Sequence, residues 1–327
     1  MITIIIPVYN SSQTLKECLD AIFSNSPEKS EVIVVSDNSK DNSIDIAKNY
    51  NCKIIELKEN KGPGYARNIG ANSATGDLLL FVDSDVIVKK DILTNVRKAF
   101  DDKKVNVIQG IYSHRPNYKN TITQYQQSFY CYYTWHKKNK YTGTLVSMCF
   151  AIRKNTFLKL NGFNTNIKKA TAEDEEFGYK LLDDGNHILI SRELNVEHRV
   201  NYTIGKFIKR NFTMYVETAK SFIRNKSYKK KIGQKNYSNV LMGMPLIALI
   251  IFTFIIMFFN PNDKILITFF VLNIMFLLLH LKFAIFVGSN KGIFKGVGVM
   301  MYSYLDTLLM LIGAIFANIS YILGKKY

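Results

Sequence analysis

The last third of the chain is almost entirely apolar, and this feature constrains the fold more than any other. Apolar residues form three long stretches, Val240 to Phe259, Ile265 to about Gly288, and Val297 to Leu323. Each stretch is long enough to cross a hydrocarbon core about 30 Å thick, a length that buried helices of soluble domains seldom reach. The sequence therefore predicts a transmembrane region of about three helices over residues 238–327.

The basic residues of the chain concentrate just before this apolar region. The net charge of +17 would by itself suit a nucleic-acid-binding protein. However, eleven Lys and Arg residues against a single Glu lie between Arg199 and Lys235, which is typical of a surface that faces anionic lipid beside a membrane span. We interpret residues 201–237 as a basic amphipathic juxtamembrane segment, and we expect a membrane rather than a nucleic acid as partner.

The N-terminus and the loops between the apolar stretches predict an orientation. MITIIIPVYN has no basic n-region and only a short apolar run, so we expect no signal peptide and a cytoplasmic location for the residues before the apolar region. The positive-inside rule then places the loop with Lys291 and Lys295 in the cytoplasm, although Lys325 and Lys326 would fall outside. We predict a multi-pass protein of the cell membrane.

The first hundred residues alternate apolar runs with helical patterns. The runs ITIIIPVY, EVIVVSD, CKIIEL and DLLLFVD are apolar on both faces, which indicates parallel strands covered by helices on both sides. Ligands of such sheets bind at the carboxyl ends of the strands. We predict an α/β fold in which residues 101–200 extend the sheet and form the second wall of a cleft.

Two carboxylates stand where the fourth of these strands ends. Asp83 and Asp85 flank Ser84 directly after DLLLFV. Carboxylates suit Mg²⁺ or Mn²⁺, which take their remaining ligands from substrate phosphates and water. Such an ion would neutralise charge that builds on a leaving diphosphate. An Asp-x-Asp sequence alone is more often a solvated turn or a helix cap, but its position after a buried strand favours a metal site.

Two further features lie at the same predicted edge. Asp37 ends the strand EVIVVSD, where it either caps a turn or accepts hydrogen bonds from a nucleobase. The loop NKGPGYARNIG contains glycines that allow close backbone approach, and Arg67 within it has the forked guanidinium that suits phosphate or carboxylate. Each feature by itself is weak support for a nucleotide site.

The four adjacent acidic residues Glu173 to Glu176 supply a candidate general base. Such a group is usually the first turn of a helix, where it complements the helix dipole. Mutual repulsion and partial burial would also raise the pKa of at least one carboxyl, which suits a base. His198 is more economically a packing residue than a ligand of metal or diphosphate.

Taken in order, these segments resemble the family 2 glycosyltransferases of GT-A fold. The resemblance covers residues 2 to about 199 and rests on IIIPVYN, VIVVSDNSKDNS, NKGPGYARNIGA, GDLLLFVDSD, LNGF, AEDEEFGYKLLDDG and VEH. It implies an inverting transferase that uses a nucleoside-diphosphate sugar and Mg²⁺ or Mn²⁺. It also implies a nucleotide-sugar-binding half over residues 1–100 and an acceptor-binding, catalytic half over residues 101–200.

The resemblance implies roles for individual residues. Asp174, with Glu173 beside it, matches the catalytic base, and Asp83 and Asp85 match the ribose- and metal-contacting positions. His198 is a further candidate metal contact. The predicted contacts with the donor nucleotide are Pro7, Tyr9, Asp37, Arg67 and Asp83. For the acceptor we predict contacts with Arg210, which could reach a phosphate, and with Trp135, the only tryptophan.

Two departures from the family narrow the function. Ser36 stands where the family often has the first Asp of Asp-Asp-Gly-Ser, and the QxxRW motif of processive polysaccharide synthases is absent. We therefore expect transfer to polyprenyl phosphate or a lipid-linked glycan in cell-surface glycan synthesis rather than extrusion of a polymer. The alternative is a non-catalytic, nucleotide-sugar-binding membrane scaffold. A nucleotidyltransferase is disfavoured because PVYNSSQTL has no basic activating loop.

Overall fold

The computed structural model describes residues 1–25, 30–113, 120–135, 141–167, 172–224 and 238–324. The strands are β1 Ile2–Val8, β2 Ser30–Ser36, β3 Lys53–Glu56, β4 Leu78–Val82, β5 Val86–Val88, β6 Val107–Tyr112, β7 Tyr141–Thr142, β8 Cys149–Arg153 and β9 Ile188–His198. The helices are α1 Leu15–Phe23, α2 Ser43–Ala47, α3 Pro63–Ser73, α4 Ile92–Phe100, α5 Thr121–Trp135, α6 Lys154–Lys159, α7 Glu173–Asp183, α8 Ile204–Arg224, α9 Ser238–Phe259, α10 Asp263–Lys291 and α11 Ile293–Ile322.

The described strands form one sheet in the order β3-β2-β1-β4-β8-β6-β9-β5, with β7 paired to β9. Strands β1, β2, β3, β4, β6 and β9 run in one direction, and β5, β7 and β8 run in the other. The α/β prediction with a mostly parallel sheet is therefore confirmed. Residues 101–200 contribute β6 to β9, which extend the sheet beyond β4.

Both faces of the sheet are buried because alternate residues of each strand pack on opposite sides. In β1, Ile4 and Ile6 join a core with α1 and α4, whereas Ile5 joins a second core with α3 and α7. A Cβ placed on Gly70 of α3 would overlap the side chain of Ile5, so this position requires glycine for the helix to lie on the strand. Covered faces explain the continuously apolar strand sequences.

Helices α9, α10 and α11 correspond to the three predicted apolar stretches. By length and composition each is long enough and apolar enough to cross a membrane, over Met242–Phe259, Asp263–Lys291 and Ile293–Ile322. Many of their large apolar side chains point away from the protein, as Phe258 and Phe294 do. The prediction of three long apolar helices is confirmed, and the predicted cytoplasmic orientation stays a prediction.

The α/β region and the long apolar helices share a core. Tyr125 and Phe129 of α5 pack with Phe207 of α8 and with Phe283 of α10. A buried carboxylate, Asp306 of α11, accepts hydrogen bonds from Tyr125 Oη at 3.0 Å, Tyr215 Oη at 2.8 Å and Asn211 Nδ2 at 2.7 Å. We call this group the Asp306 cluster. It joins α5, α8 and α11, and so fixes the sheet relative to the apolar helices.

Candidate active site

The turn between β4 and β5 places its two carboxylates at the carboxyl end of the sheet. The backbone N–H of Asp83 donates to the carbonyl of Met148 at 3.0 Å, and the N–H of Val86 closes the turn on the carbonyl of Asp83 at 3.0 Å. The side chains of Asp83 and Asp85 are 29% and 36% exposed, and both line the same cavity. Accessible carboxylates in a rigid turn are suited to hold a ligand.

Arg67 lies at the centre of the acidic site. Its Nη2 donates to Asp83 at 2.6 Å and its Nη1 donates to Glu173 at 3.2 Å, while the side chain is only 3% exposed. Its Nε has no hydrogen-bond partner among the described residues. Burial raises the pKa of Asp83, and Arg67 opposes that rise. The guanidinium thus joins β4 to α7 and offsets part of the negative charge around it.

Asp174 lies in the first turn of α7 and faces the cavity. Its Oδ2 accepts hydrogen bonds from the backbone N–H of Ser147 at 3.2 Å and from Ser147 Oγ at 3.4 Å. Burial, followed by repulsion from Glu173 and Glu175, raises the pKa of Asp174 to about 8. A carboxyl with a pKa near neutrality in a cleft is suited to act as a general base.

His198 holds Asp85 from the far side of the cavity. The distance from His198 Nε2 to Asp85 Oδ2 is 3.0 Å, and Nδ1 lies 2.8 Å from Nε2 of Gln127. Burial opposes ionisation of Asp85, but the charge and hydrogen bond of His198 outweigh burial and keep the pKa of Asp85 below its usual value. Asp85 is therefore ionised near neutral pH.

The donor atoms fit a hard divalent cation with few protein ligands. Within the described ranges, no three His, Cys, Asp or Glu side chains converge as a complete metal site. Mg²⁺ commonly needs only one or two carboxylates when substrate phosphates and water supply the rest. Asp83 and Asp85 provide such a pair, whereas His198 orients Asp85 through a hydrogen bond.

A single cavity of about 840 Å³ joins these carboxylates to the apolar helices. One end is lined by Asp83, Asp85 and Asp174, and the other by residues of α8, α9 and α11. Arg210 of α8 also lines it, with Nη1 3.4 Å from Tyr130 Oη and 3.3 Å from Asn211 Oδ1. The cavity therefore combines anionic, cationic and apolar surfaces.

Residues 3–160 match the family described as glycosyl transferase family 2. The chain contains a glycosyltransferase family 2 domain. Among similar proteins, glycosyltransferase GlyA of Streptococcus pneumoniae is 35% identical over 115 residues, which are 34% of this chain and 16% of GlyA. The poly(ribitol-phosphate) beta-glucosyltransferase of Bacillus spizizenii is 41% identical over 100 residues, which are 28% of this chain and 16% of that enzyme. Such matches span 16% to 40% of the relatives' length.

The fold of the glycosyltransferase domain matches known GT-A structures. The mannosyltransferase PcManGT from Pyrobaculum calidifontis superposes with a TM-score of 0.55 at 15% identity, covering 99% of this chain and 87% of that one. At this identity the similarity shows the fold alone. It confirms the GT-A prediction, with a mixed and mostly parallel sheet followed by long helices.

Other predicted site residues of the glycosyltransferase domain lie outside the cavity lining. Asp37 is buried and accepts hydrogen bonds from the backbone N–H groups of Lys61 and Gly62, both at 2.8 Å. Pro7 lies within β1, and Tyr9 follows that strand with 53% exposure. All three of these predicted nucleotide contacts lie near the carboxyl ends of β1 and β2. Asp37 holds the loop that leads into α3, which carries Arg67.

Trp135 closes α5, but its side chain lies outside the described part of the protein. The predicted basic segment, residues 201–237, lies only partly within the described residues. Residues 225–237 lie outside the description. Lys206 and Lys209 are exposed, whereas Lys220 is buried and the side chain of Arg224 is 10% exposed. Lys220 pairs with Glu217 and Arg224 pairs with Glu176. The last turn of α8 therefore contacts α7.

Sequence analysis missed three residues that support the site or the helices beside it. Ser147 and Gln127 position Asp174 and His198, but nothing in their sequence neighbourhood marks them. The importance of Asp306 could have been predicted from the sequence, since it is the only charged residue between Val297 and Leu323. An isolated ionisable residue in an apolar span commonly has a specific partner or function.

Proposed function

We propose that the protein is an inverting glycosyltransferase that moves a sugar from a nucleoside diphosphate to a membrane-associated acceptor. One observation carries this proposal: a single cavity connects the carboxylates of the glycosyltransferase domain with helices that are apolar enough to span a membrane. A donor held at one end and an acceptor held at the other would meet beside Asp174.

The donor lies at the carboxyl end of the sheet in this proposal. Its nucleotide lies near Pro7, Tyr9 and Asp37, and its diphosphate reaches the pair formed by Asp83 and Asp85. These two residues would hold Mg²⁺ or Mn²⁺, which would neutralise the leaving diphosphate. The structure of PcManGT in complex with GDP-Man and Mn²⁺ supports a donor and a metal of this kind. A screen of nucleotide-sugar donors identifies the nucleobase and the sugar.

Asp174 acts as the general base when the acceptor is a hydroxyl. It takes the proton as the hydroxyl oxygen attacks the anomeric carbon from the face opposite the diphosphate. The bond between that carbon and the diphosphate oxygen breaks as the new glycosidic bond forms, so the configuration inverts. Glu173 assists indirectly, because its contact with Arg67 holds the guanidinium beside the base. If polyprenyl phosphate is the acceptor, the nucleophile is already ionised and needs no base.

Arg210 is the proposed contact for a phosphate of the acceptor. It lines the cavity near Asp85, whose pKa its charge helps to lower. A half-buried guanidinium suits the forked recognition of phosphate. In this proposal the acceptor is polyprenyl phosphate or a lipid-linked glycan, the protein is a multi-pass protein of the cell membrane, and the catalytic domain is cytoplasmic. Trp135 remains a second candidate for the acceptor site.

The competing proposal is a scaffold that binds a nucleotide sugar without chemistry. The intact carboxylate pair and the perturbed Asp174 argue against it, because a binding module has no need for a base with a raised pKa. Purified protein incubated with donor alone discriminates between the two. Slow, metal-dependent hydrolysis of the donor is expected of a transferase and is absent from a scaffold.

The proposal is tested with membranes that contain the protein. They are incubated with radiolabelled UDP-, GDP- and dTDP-sugars and Mn²⁺ or Mg²⁺, and label is counted in the organic-extractable lipid. We expect one donor to label lipid in the wild type and not in Asp85→Asn. Asp91→Asn makes the same change at an exposed position outside the cavity, and it should label lipid normally. Label in a water-soluble product alone would contradict a lipid-linked acceptor while supporting the transfer chemistry.

A further inference from the structure

We infer that the part of the cavity between α8, α9 and α11 binds the hydrocarbon chain of a lipid acceptor, an inference that rests on the proposed function. We call this part the apolar arm. It is lined by Ala219, Phe222 and Ile223 of α8, Met244 of α9, and Met310 and Ala314 of α11. It is continuous with the carboxylate end, so a molecule in the arm reaches the catalytic residues without leaving the protein.

One face of α8 lines the cavity along most of the helix. Arg210, Met214, Thr218 and Phe222 recur every four residues, and all four line the cavity. Residues spaced by four lie on the same side of an α-helix. At a rise of 1.5 Å per residue, the face from Arg210 to Phe222 is about 18 Å long. A phosphate at Arg210 would thus place an attached chain along the row formed by Met214, Thr218 and Phe222, in which Thr218 is the one polar side chain.

The walls of the arm are held by close contacts between helices. A Cβ added to Gly313 of α11 would lie 3.0 Å from Cβ of Tyr215, so α8 and α11 are in close contact there. A Cβ added to Gly243 of α9 would lie 3.2 Å from Cγ2 of Thr307, which brings α9 close to α11. The last turn of α8 is also fixed, because Arg224 Nε donates to Glu176 at 3.1 Å. The arm is therefore a formed space.

The chemistry of the arm selects a hydrocarbon chain over a soluble glycan. A sugar in an enclosed site needs hydrogen-bond partners for its hydroxyl groups, since unpaired polar groups are costly to bury. The six side chains that define the arm are apolar. Asn318, which also lines the cavity, donates to the carbonyl of Ala314 at 2.8 Å. The arm also lies along α11 where that helix is apolar enough to cross a membrane, so a lipid could enter from the bilayer.

The test uses a photoreactive probe, an alkyl phosphate that carries a diazirine at the end of its chain. The full-length protein in lipid nanodiscs is irradiated with the probe, and labelled peptides are identified by mass spectrometry. We expect labelling of the arm residues of α8 and α11, and competition by undecaprenyl phosphate but not by inorganic phosphate. Ala314→Trp fills the arm and should lower arm labelling about tenfold, the effect of displacing roughly two methylene groups from their site.

Ile315→Trp is the matched control, because Ile315 is the next residue and is 53% exposed on the outer side of α11. It should label as the wild type does. If Ala314→Trp shows a lowered Tm, the smaller change Ala314→Leu replaces it and should lower labelling partially. Arm labelling that is equal in Ala314→Trp and Ile315→Trp, or labelling spread evenly over the outer faces of the helices, overturns the inference. Donor hydrolysis by the wild type is measured separately, and its absence would contradict the proposed function alone.

Discussion

Replacing Asp174 by Asn removes the proposed base while keeping the size of the side chain and an oxygen that can accept from Ser147. A positioned general base contributes about 10²- to 10⁴-fold to a rate. We therefore expect Asp174→Asn to lower kcat by that factor and to leave the KM for the donor nearly unchanged. Asp183→Asn, the same change at the exposed last residue of α7, should leave both constants unchanged.

The pH dependence of the wild type follows from the same carboxyl. With a pKa of about 8, roughly one Asp174 side chain in ten is ionised at pH 7. The base acts when it is deprotonated, so kcat/KM should rise about tenfold from pH 7 to a plateau above about pH 9 and fall as the pH decreases. The measurement is initial-rate transfer of labelled sugar across this range in detergent-solubilised protein.

Stability gives a second readout of Asp174. The pKa of its carboxyl is higher in the folded than in the unfolded state, so this group makes folding less favourable as the pH rises from its unfolded pKa through 8. Asn has no such cost, and Asp174→Asn should therefore have a higher Tm than the wild type above pH 8, with a smaller difference at lower pH.

The kinetic result decides the role of Asp174. If the kcat of Asp174→Asn is within about tenfold of the wild-type kcat, Asp174 is not the base, and the result instead favours an acceptor phosphate that needs no deprotonation.

Arg67→Ala should lower the free energy of unfolding by about 3–5 kcal/mol, because it leaves the buried Glu173 and the partly exposed Asp83 without their shared cation. Thermal unfolding in detergent measures this, with the exposed Arg97→Ala as control, and an unchanged Tm would contradict it. Asp306→Leu removes the acceptor of three buried donors, each costing about 1–3 kcal/mol when unpaired. The Tm should fall and transfer should weaken, whereas a wild-type Tm would show that the Asp306 cluster does not hold the helices. Chelation with EDTA should abolish donor hydrolysis, and Mn²⁺ or Mg²⁺ should restore it. Hydrolysis that persists in EDTA would remove the metal from the proposal.

Much of the candidate site was predictable because its parts lie at the ends of strands. A buried strand is recognisable from its own few residues, and parallel strands bring their carboxyl ends to one edge whatever the rest of the chain does. Asp83 and Asp85 were found in this way. Asp174 was found from its acidic neighbours, but its distance along the chain from Asp83 left their juxtaposition to the tertiary structure.

The partners of Arg67 could not be predicted from the residues around it in the sequence. Its sequence context predicts an arginine near the edge of the sheet that could bind phosphate or carboxylate. The structure shows that its Nη atoms contact two carboxylates of the protein itself, one from β4 and one from α7. Which partner a buried guanidinium takes depends on groups distant in sequence, and no residue spacing within α3 encodes that choice.

The sequence by itself determined the α/β class, the carboxylate edge and the three apolar helices, because each depends on the periodicity or length of a continuous segment. Only the tertiary structure decided that α5 packs among the apolar helices, that Asp306 is the acceptor shared by three elements, and that one face of α8 lines a cavity running from the carboxylates to the apolar arm. These features arise from contacts between residues far apart in the chain, where the burial of one group depends on the shape and charge of another.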